Sequence, residues 1–260
     1  MKTNKKSISL ILIIKNEEKN LTKYWTWLNR CKTIKEIIVV NDFSTDKSIE
    51  FIKTLASKKR EVKIFDRGLG NNFAEQRNFA ISKTSHNWIL WLDADEKPNK
   101  KLIRFLNHIN DSKLKYKNYA FKRNDIFLGH ELNHGETANQ YFLRFFNKKY
   151  GCFTGNVHEI WQSPKETKNE KIHIHHYSHL TLKSFIQKLN FYSDIRAQEL
   201  FDQNVPTGLF QIICYPKGKF LQDYFLKLGF LDGTPGIIMA LGMSFYSFLV
   251  RAKLWQLQQK

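Results

Sequence analysis

Apolar residues in the first hundred positions fall in short unbroken runs, each followed by a polar stretch of helical period. Ser7–Ile14 is a continuous β-rich run, Glu36–Val40 a second, Val62–Phe65 a third and Trp88–Leu92 a fourth. Between them, Glu17–Arg30 carries Leu21, Tyr24, Trp25 and Leu28 at helical spacing. Ile49, Ile52, Leu55 and Ala56 form one apolar face behind a Ser44 or Thr45 cap, and Phe73–Ser82 suits a third helix. Strands that are apolar on both faces and interleaved with helices predict a parallel sheet covered on both sides. Such sheets bind ligands beyond the carboxyl ends of their strands, so the residues just after each run carry the interest.

The middle of the chain, from Asn107 to about Lys171, is less regular. Tyr119–Phe121 and Tyr141–Phe146 read as strands, and Asn124–Asn139 between them as a loop over a site. From Thr181 the pattern is helical to about Phe201; a second helical tract follows Pro216 and a third follows Pro235. There is no internal repeat and no long linker. The basic start and the Ile8–Ile14 run imitate a signal peptide, but the run is short and meets Lys15-Asn16-Glu17-Glu18 with no small-residue cleavage site, which favours a buried first strand.

Composition narrows the function classes. With 42% hydrophobic residues the 260-residue chain can build a core, so global disorder is excluded. Lys and Arg number 42 against 24 Asp and Glu, a net charge of +18 that points to nucleic acid, phosphorylated substrates or an anionic membrane face without choosing among them. Cys31, Cys152 and Cys214 are odd in number, far apart and in no CxxC pair, which argues against a disulfide framework and for a reducing, cytoplasmic compartment. The uncharged stretch Gly236–Val250 is short for a span, and Lys217, Lys219, Lys227, Arg251 and Lys253 flank apolar and aromatic groups as in interfacial helices, so peripheral contact with an anionic membrane stands beside packing on the domain or in a dimer interface.

The chemistry sits at the strand ends. Asn16-Glu17-Glu18 follows the first run, Asn41-Asp42-Phe43-Ser44-Thr45-Asp46 the second, Asp66-Arg67-Gly68 the third and Asp93-Ala94-Asp95-Glu96 the fourth. Carboxylates gathered at one sheet edge repel unless a cation or hydrogen-bond donors intervene, and Mg²⁺ or Mn²⁺ bridging to phosphate is the simple solution. The first strand end lacks the glycine-rich turn of a dinucleotide fold, and no P-loop is present. No module that interleaves basic residues with exposed aromatics is recognisable, so nucleic acid is not an expected partner. His173, His175 and the adjoining His176 and His179 read as a strand end, with no Cys or HExxH pattern to make a zinc site. A nucleotidyltransferase using the same carboxylates remains the rival enzyme.

Leu10–Ile14 with Lys15-Asn16-Glu17-Glu18, Ile38–Asp46, Glu75-Gln76-Arg77-Asn78 and Trp91–Glu96, in that order, resemble a family 2 glycosyltransferase of GT-A fold. Asn156-Val157-His158-Glu159, His176-Tyr177 and Gly229–Gly233 resemble the narrower branch of bacterial lipopolysaccharide inner-core glucosyltransferases. The resemblance implies an α/β fold with a mostly parallel central sheet, flanking helices and a helical C-terminal extension. It implies a catalytic domain over 1–180, with a nucleotide-sugar half 1–105 and an acceptor half 106–180, and an extension over 181–260. The donor is expected to be a nucleotide-diphosphate sugar, a UDP-sugar first among them, and the acceptor a lipid-linked or lipopolysaccharide-type glycan. Carried onto this chain, Asp42 binds the base, Asn16 and Glu17 line its pocket, Arg77 lies near base or diphosphate, and Asp93 faces ribose and metal. Asp95 is the main ligand of a divalent cation, Mg²⁺ or Mn²⁺, with His176 as a late ligand. Asn41 stands where many members carry Asp. Inversion needs a base for the acceptor hydroxyl, and Glu159 is the candidate; His134, Glu136 and His158 are candidate acceptor contacts.

Overall fold

A computed structural model describes residues 7–70, 72–109, 114–138, 140–155 and 160–259. It divides into two compact units, one of 1–123 and 141–176, the other of 124–140 and 177–260.

In the first unit the apolar runs become strands β1 (Ile8–Ile14), β2 (Ile34–Asn41), β3 (Glu61–Asp66) and β4 (Trp88–Trp91). They pair in parallel in the order β3-β2-β1-β4. In β1 only Ile13 is not fully buried, which explains why the run does not alternate: both faces are covered. The covering helices are α1 (Glu18–Tyr24), continued by a 3-10 turn over Trp25–Arg30, α2 (Ser48–Thr54) and α3 (Phe73–Ser82). The expected Ser44 or Thr45 cap is not formed: α2 starts behind Lys47, which makes no side-chain cap bond, and Asp46 before it accepts from the backbone and hydroxyl of Ser48.

The sheet then changes direction. The remaining strands are β5 (Glu96–Pro98), preceding α4 (Lys100–Asn107), then β6 (Asn118–Phe127), β7 (His130–Glu131), β8 (Tyr141–Asn147), β9 (Cys152–Thr154), β10 (Ile160–Gln162) and β11 (Thr167–His179). The main path continues β4-β8-β6-β11-β5, and the β4–β8, β8–β6 and β11–β5 pairings are antiparallel. The sheet is thus mixed: a parallel half carries the strand ends of interest, and an antiparallel half is laid beside it. Trp88 stacks on Phe145 at 4.8 Å across the β4–β8 join, an aromatic pair worth about 0.5–1.5 kcal/mol beyond its burial.

The second unit is helical, with α5 (Leu182–Asp202), α6 (Leu209–Leu221) and α7 (Gly233–Gln258). Phe185 and Leu189 pack with Met239, and Ala197 and Leu200 with Val250 and Leu254. Gly242 is required here, because a Cβ at that position would stand 2.3 Å from the Phe185 ring. Two expectations change. Pro216 does not precede the second helix but lies inside α6, which starts at Leu209 with Gly208 N–H donating to Gln211 Oε1. Ser244 of α7 donates to the Pro216 carbonyl at 2.8 Å. Pro235 lies in the first turn of α7, where a missing N–H has no cost. The stretch read as a loop, Asn124–Asn139, carries the end of β6, the short β7 paired with it, and a 3-10 turn at Gly135–Thr137.

Candidate active site

The strand order β3-β2-β1-β4 reverses its sense between the parallel neighbours β1 and β4, and that switch point is where open α/β sheets hold their ligands. Register aligns Ile14 with Asn41 and Asn41 with Asp66, so three of the four polar strand ends begin on one line.

The first two ends interlock. Asn16, at φ 55°, points its carboxamide oxygen at the backbone N–H of Thr45, 2.7 Å away. Asn tolerates this left-handed backbone better than most residues. Ser48 Oγ accepts from the Glu17 backbone N–H at 2.8 Å, and Ser44 Oγ from that of Asn16 at 3.0 Å. Glu17 itself accepts from Asn20. Asn41 donates to Asp66 and accepts from the Ser44 backbone, which gives it a turn-forming role in place of a second acidic contact. Asp42 accepts from Lys15 Nζ at 2.9 Å and from the Leu69 backbone at 3.3 Å. Asn16, Glu17 and Asp42 are therefore brought together, around a loop fixed by side chain-to-backbone bonds.

The fourth end is built differently. The Trp25 indole, fully buried, donates to the Ala94 carbonyl at 2.8 Å. Asp93 and Glu96 close a tight turn, the Glu96 N–H donating to the Asp93 carbonyl. Arg144, arriving on β8, grips Glu96 through Nε at 2.8 Å and an Nη at 2.7 Å, and reaches Asp93 Oδ2 at 2.7 Å. Burial opposes the charge of Arg144, but Glu96 and Asp93 outweigh it and push its pKa up. Sequence reasoning missed this residue. Its signal was a single cation inside the apolar strand Tyr141–Asn147, which demands a buried acid.

Asp95 points elsewhere. Its Oδ2 stands 3.4 Å from Nε2 of His176, which β11 aligns with Glu96. Among the described residues no three His, Cys, Asp or Glu side chains form a cluster. One carboxylate and one imidazole, with Asp93 already held by Arg144, suit an ion that takes its other ligands from diphosphate and water, the usual habit of Mg²⁺ and Mn²⁺. The donor set fits.

Arg77 on α3 lays its guanidinium over Trp91, 3.6 Å from the ring centroid, with Phe153 at 5.3 Å. Burial pulls its pKa down to about 9, Asp93 opposing and Arg144 adding to the fall. Its neighbours fasten the helix: Gln76 exchanges hydrogen bonds with Arg67, and Asn78 with the backbone of Phe153.

In the second unit His134 pairs with Asp232 at 2.9 Å, and Glu136 lies between Lys219 and Lys227. Burial works against the Glu136 charge, yet the two lysines hold its pKa below the usual range. His158 and Glu159 lie outside the described residues.

A model of the family described as Glycosyl transferase family 2 matches residues 9–165. An uncharacterized glycosyltransferase of Rickettsia typhi is 28% identical, covering 98% of this chain and 89% of its own length. The lipopolysaccharide core biosynthesis glycosyltransferase LpsC of Rhizobium meliloti is 25% identical, covering 96% of this chain and 92% of its own. Among solved structures, mannosyltransferase PcManGT from Pyrobaculum calidifontis, in complex with GDP-Man and Mn²⁺, matches with a TM-score of 0.56 at 10% identity, over 97% of this chain and 88% of that one. The architecture is the GT-A fold.

Proposed function

The chain belongs to glycosyltransferase family 2, and on that premise we propose that it moves a sugar from a nucleotide-diphosphate donor, a UDP-sugar first among them, to a lipid-linked or lipopolysaccharide-type glycan, with inversion. The observation that carries the donor half is the convergence of Asn16, Glu17 and Asp42 beside the Asp93–Glu96 turn at the β1/β4 reversal. LpsC supports the acceptor class by its name.

Asp42 accepts from the N–H edge of the base, and the loop of Asn16 and Glu17 shapes the pocket around it. Asp93, oriented by Arg144, takes the ribose side. Asp95 and His176 hold a divalent cation. When bound, that ion neutralises charge on the leaving diphosphate. Arg77, a cation held on the dry face of Trp91, faces the same anionic group. Glu159 takes the proton of the acceptor hydroxyl, and His158 touches the acceptor. Residues 1–180 form the catalytic domain and 181–260 an extension that works in the cytoplasm, at the inner face of the plasma membrane.

The test is a panel of nucleotide sugars screened by thermal shift with Mn²⁺ or Mg²⁺, since ligands that bind only the folded state raise its melting temperature. One donor should stand out, and turnover should release a nucleoside diphosphate. Release of pyrophosphate from a nucleoside triphosphate would replace this reading with nucleotidyl transfer.

A further inference from the structure

Large apolar side chains exposed to solvent are not spread over the molecule. Of the twenty-three among the described residues, twenty lie in the second unit. They are densest from α6 to the start of α7. No residue of α6 is fully buried, and Leu209, Phe210 and Leu226 are 74%, 70% and 79% exposed, with Ile213, Leu221 and Phe225 exposed between them. Monomeric soluble proteins rarely leave so continuous an apolar run in water.

We propose that the segment Leu209–Leu231 is a membrane-docking element that inserts its apolar side chains into the interface of an anionic bilayer. The proposal deepens the functional reading above, since it rests on that reading for its link to a lipid-linked acceptor.

Charge selects the partner. From Leu209 to the C-terminus the acids are Asp223 and Asp232 alone. Both are already engaged, Asp223 by Lys219 and Lys227, and Asp232 by the backbone N–H groups of Asn133 and His134. Lys217, in the middle of α6, and Arg251, over the Tyr215 ring at 4.2 Å, make no ion pair among the described residues. Apolar side chains flanked by uncompensated cations match an anionic headgroup layer over hydrocarbon. A second copy of the chain fits worse, because the segment offers uncompensated cations and no acid left over to meet them.

The element lies in the interface and does not cross it. Among the described residues, the stretch Gly229–Gln258 is long and apolar enough to span by length and composition. Yet α7 packs along α5, where Lys253 bonds Asp194 at 2.6 Å and also Asn190 and Ser193. Arg196 and Glu199 form a further ion pair on α5. A helix fastened to so polar a neighbour cannot be ringed by lipid. The helix α7 backs the docking element through Ser244, which bonds the Pro216 carbonyl of α6, while Val250 and Leu254 pack on α5.

The test is co-flotation of the full chain with vesicles of phosphatidylcholine and 30% phosphatidylglycerol. Wild type should float, less so at 1 M salt. F210E/L226E should lower the bound fraction at least about tenfold, because burying even a few methylenes carries most of such partitioning. Tyr192→Glu, on exposed α5, should leave it unchanged. A milder reading uses Leu226→Trp, whose fluorescence should be quenched by brominated phospholipid. Absence of flotation, equal loss with Tyr192→Glu, an unquenched Leu226→Trp, or a solution dimer that F210E/L226E dissociates without changing flotation would each overturn the proposal. Flotation is measured without donor or acceptor, so its failure leaves sugar transfer standing. Conversely, transfer to a water-soluble acceptor alone would overturn the acceptor reading and leave the docking element in place.

Discussion

Arg144 and Glu96 form a two-pronged ion pair in which both side chains are almost wholly removed from water, the arginine 4% and the glutamate 0% exposed. A third prong, to Asp93, sets the first carboxylate of the Asp93–Asp95 pair. Removing one member of such a pair leaves the other as an uncompensated buried charge, which costs roughly 3–5 kcal/mol. Arg144→Met should therefore lower stability by that order in urea unfolding, and adding Glu96→Gln should recover a large part. If the double variant is no more stable than Arg144→Met, the pair is not the cause.

Asp95→Asn should leave the fold and its melting temperature intact while reducing sugar transfer about a thousandfold, a loss of about 4 kcal/mol of transition-state stabilisation. Mn²⁺ binding followed by electron paramagnetic resonance should fall in parallel. Undiminished transfer in excess EDTA would remove the metal from the mechanism.

Glu159→Gln should keep donor binding and lower turnover by roughly a hundredfold or more, the usual contribution of a positioned base. Slow hydrolysis of the donor should survive, because water needs less exact placement than an acceptor. Near wild-type transfer would pass the role to Asp125, Glu131 or Glu136.

Acid sensitivity should trace in part to Glu36. It is buried in β2, and burial alone would raise its pKa, but hydrogen bonds from Ser9, Ser85 and Lys63 hold it below the ordinary value. A carboxylate depressed in the folded state stabilises the fold above its unfolded value of about 4.3, and that contribution is lost as pH falls through the lower folded value. Glu36→Gln should be less stable than wild type at pH 7 and show a flatter stability profile below pH 5. Parallel profiles for the two proteins would refute this assignment.

The parallel half of the sheet was legible because a strand buried on both faces must be apolar throughout, as Ile8–Ile14 is. The antiparallel half was legible only in part: Tyr119–Phe121 and Tyr141–Phe146 read as strands and lie in β6 and β8, whereas β5 and the length of β11 did not show. The thirteen residues of β11 include Lys168, Glu170, Lys171, His173 and His175, and so show no apolar run. Three-residue β5 contains Pro98, which argues against a strand unless its neighbour is known. Pro216 hid the first two turns of α6, since a proline reads as a boundary. At the site, the strand-end residues could be placed in advance, whereas Arg144 and Trp25 reach it from 48 and 69 residues away along the chain. Their partners depend on pairing across the sheet, which no local spacing encodes.

The Trp25 indole has a further consequence. Its N–H holds the Ala94 carbonyl, in the middle of the Asp93–Asp95 turn, from inside a core that admits no water to take over the bond. The turn cannot slacken by itself, and the core cannot loosen without releasing it. On heating, the near-ultraviolet signature of the tryptophans and the rate of sugar transfer should decay at the same temperature, as one event. This enzyme would then have no warm, folded but idle state, and its upper working temperature would be the melting temperature of its first unit.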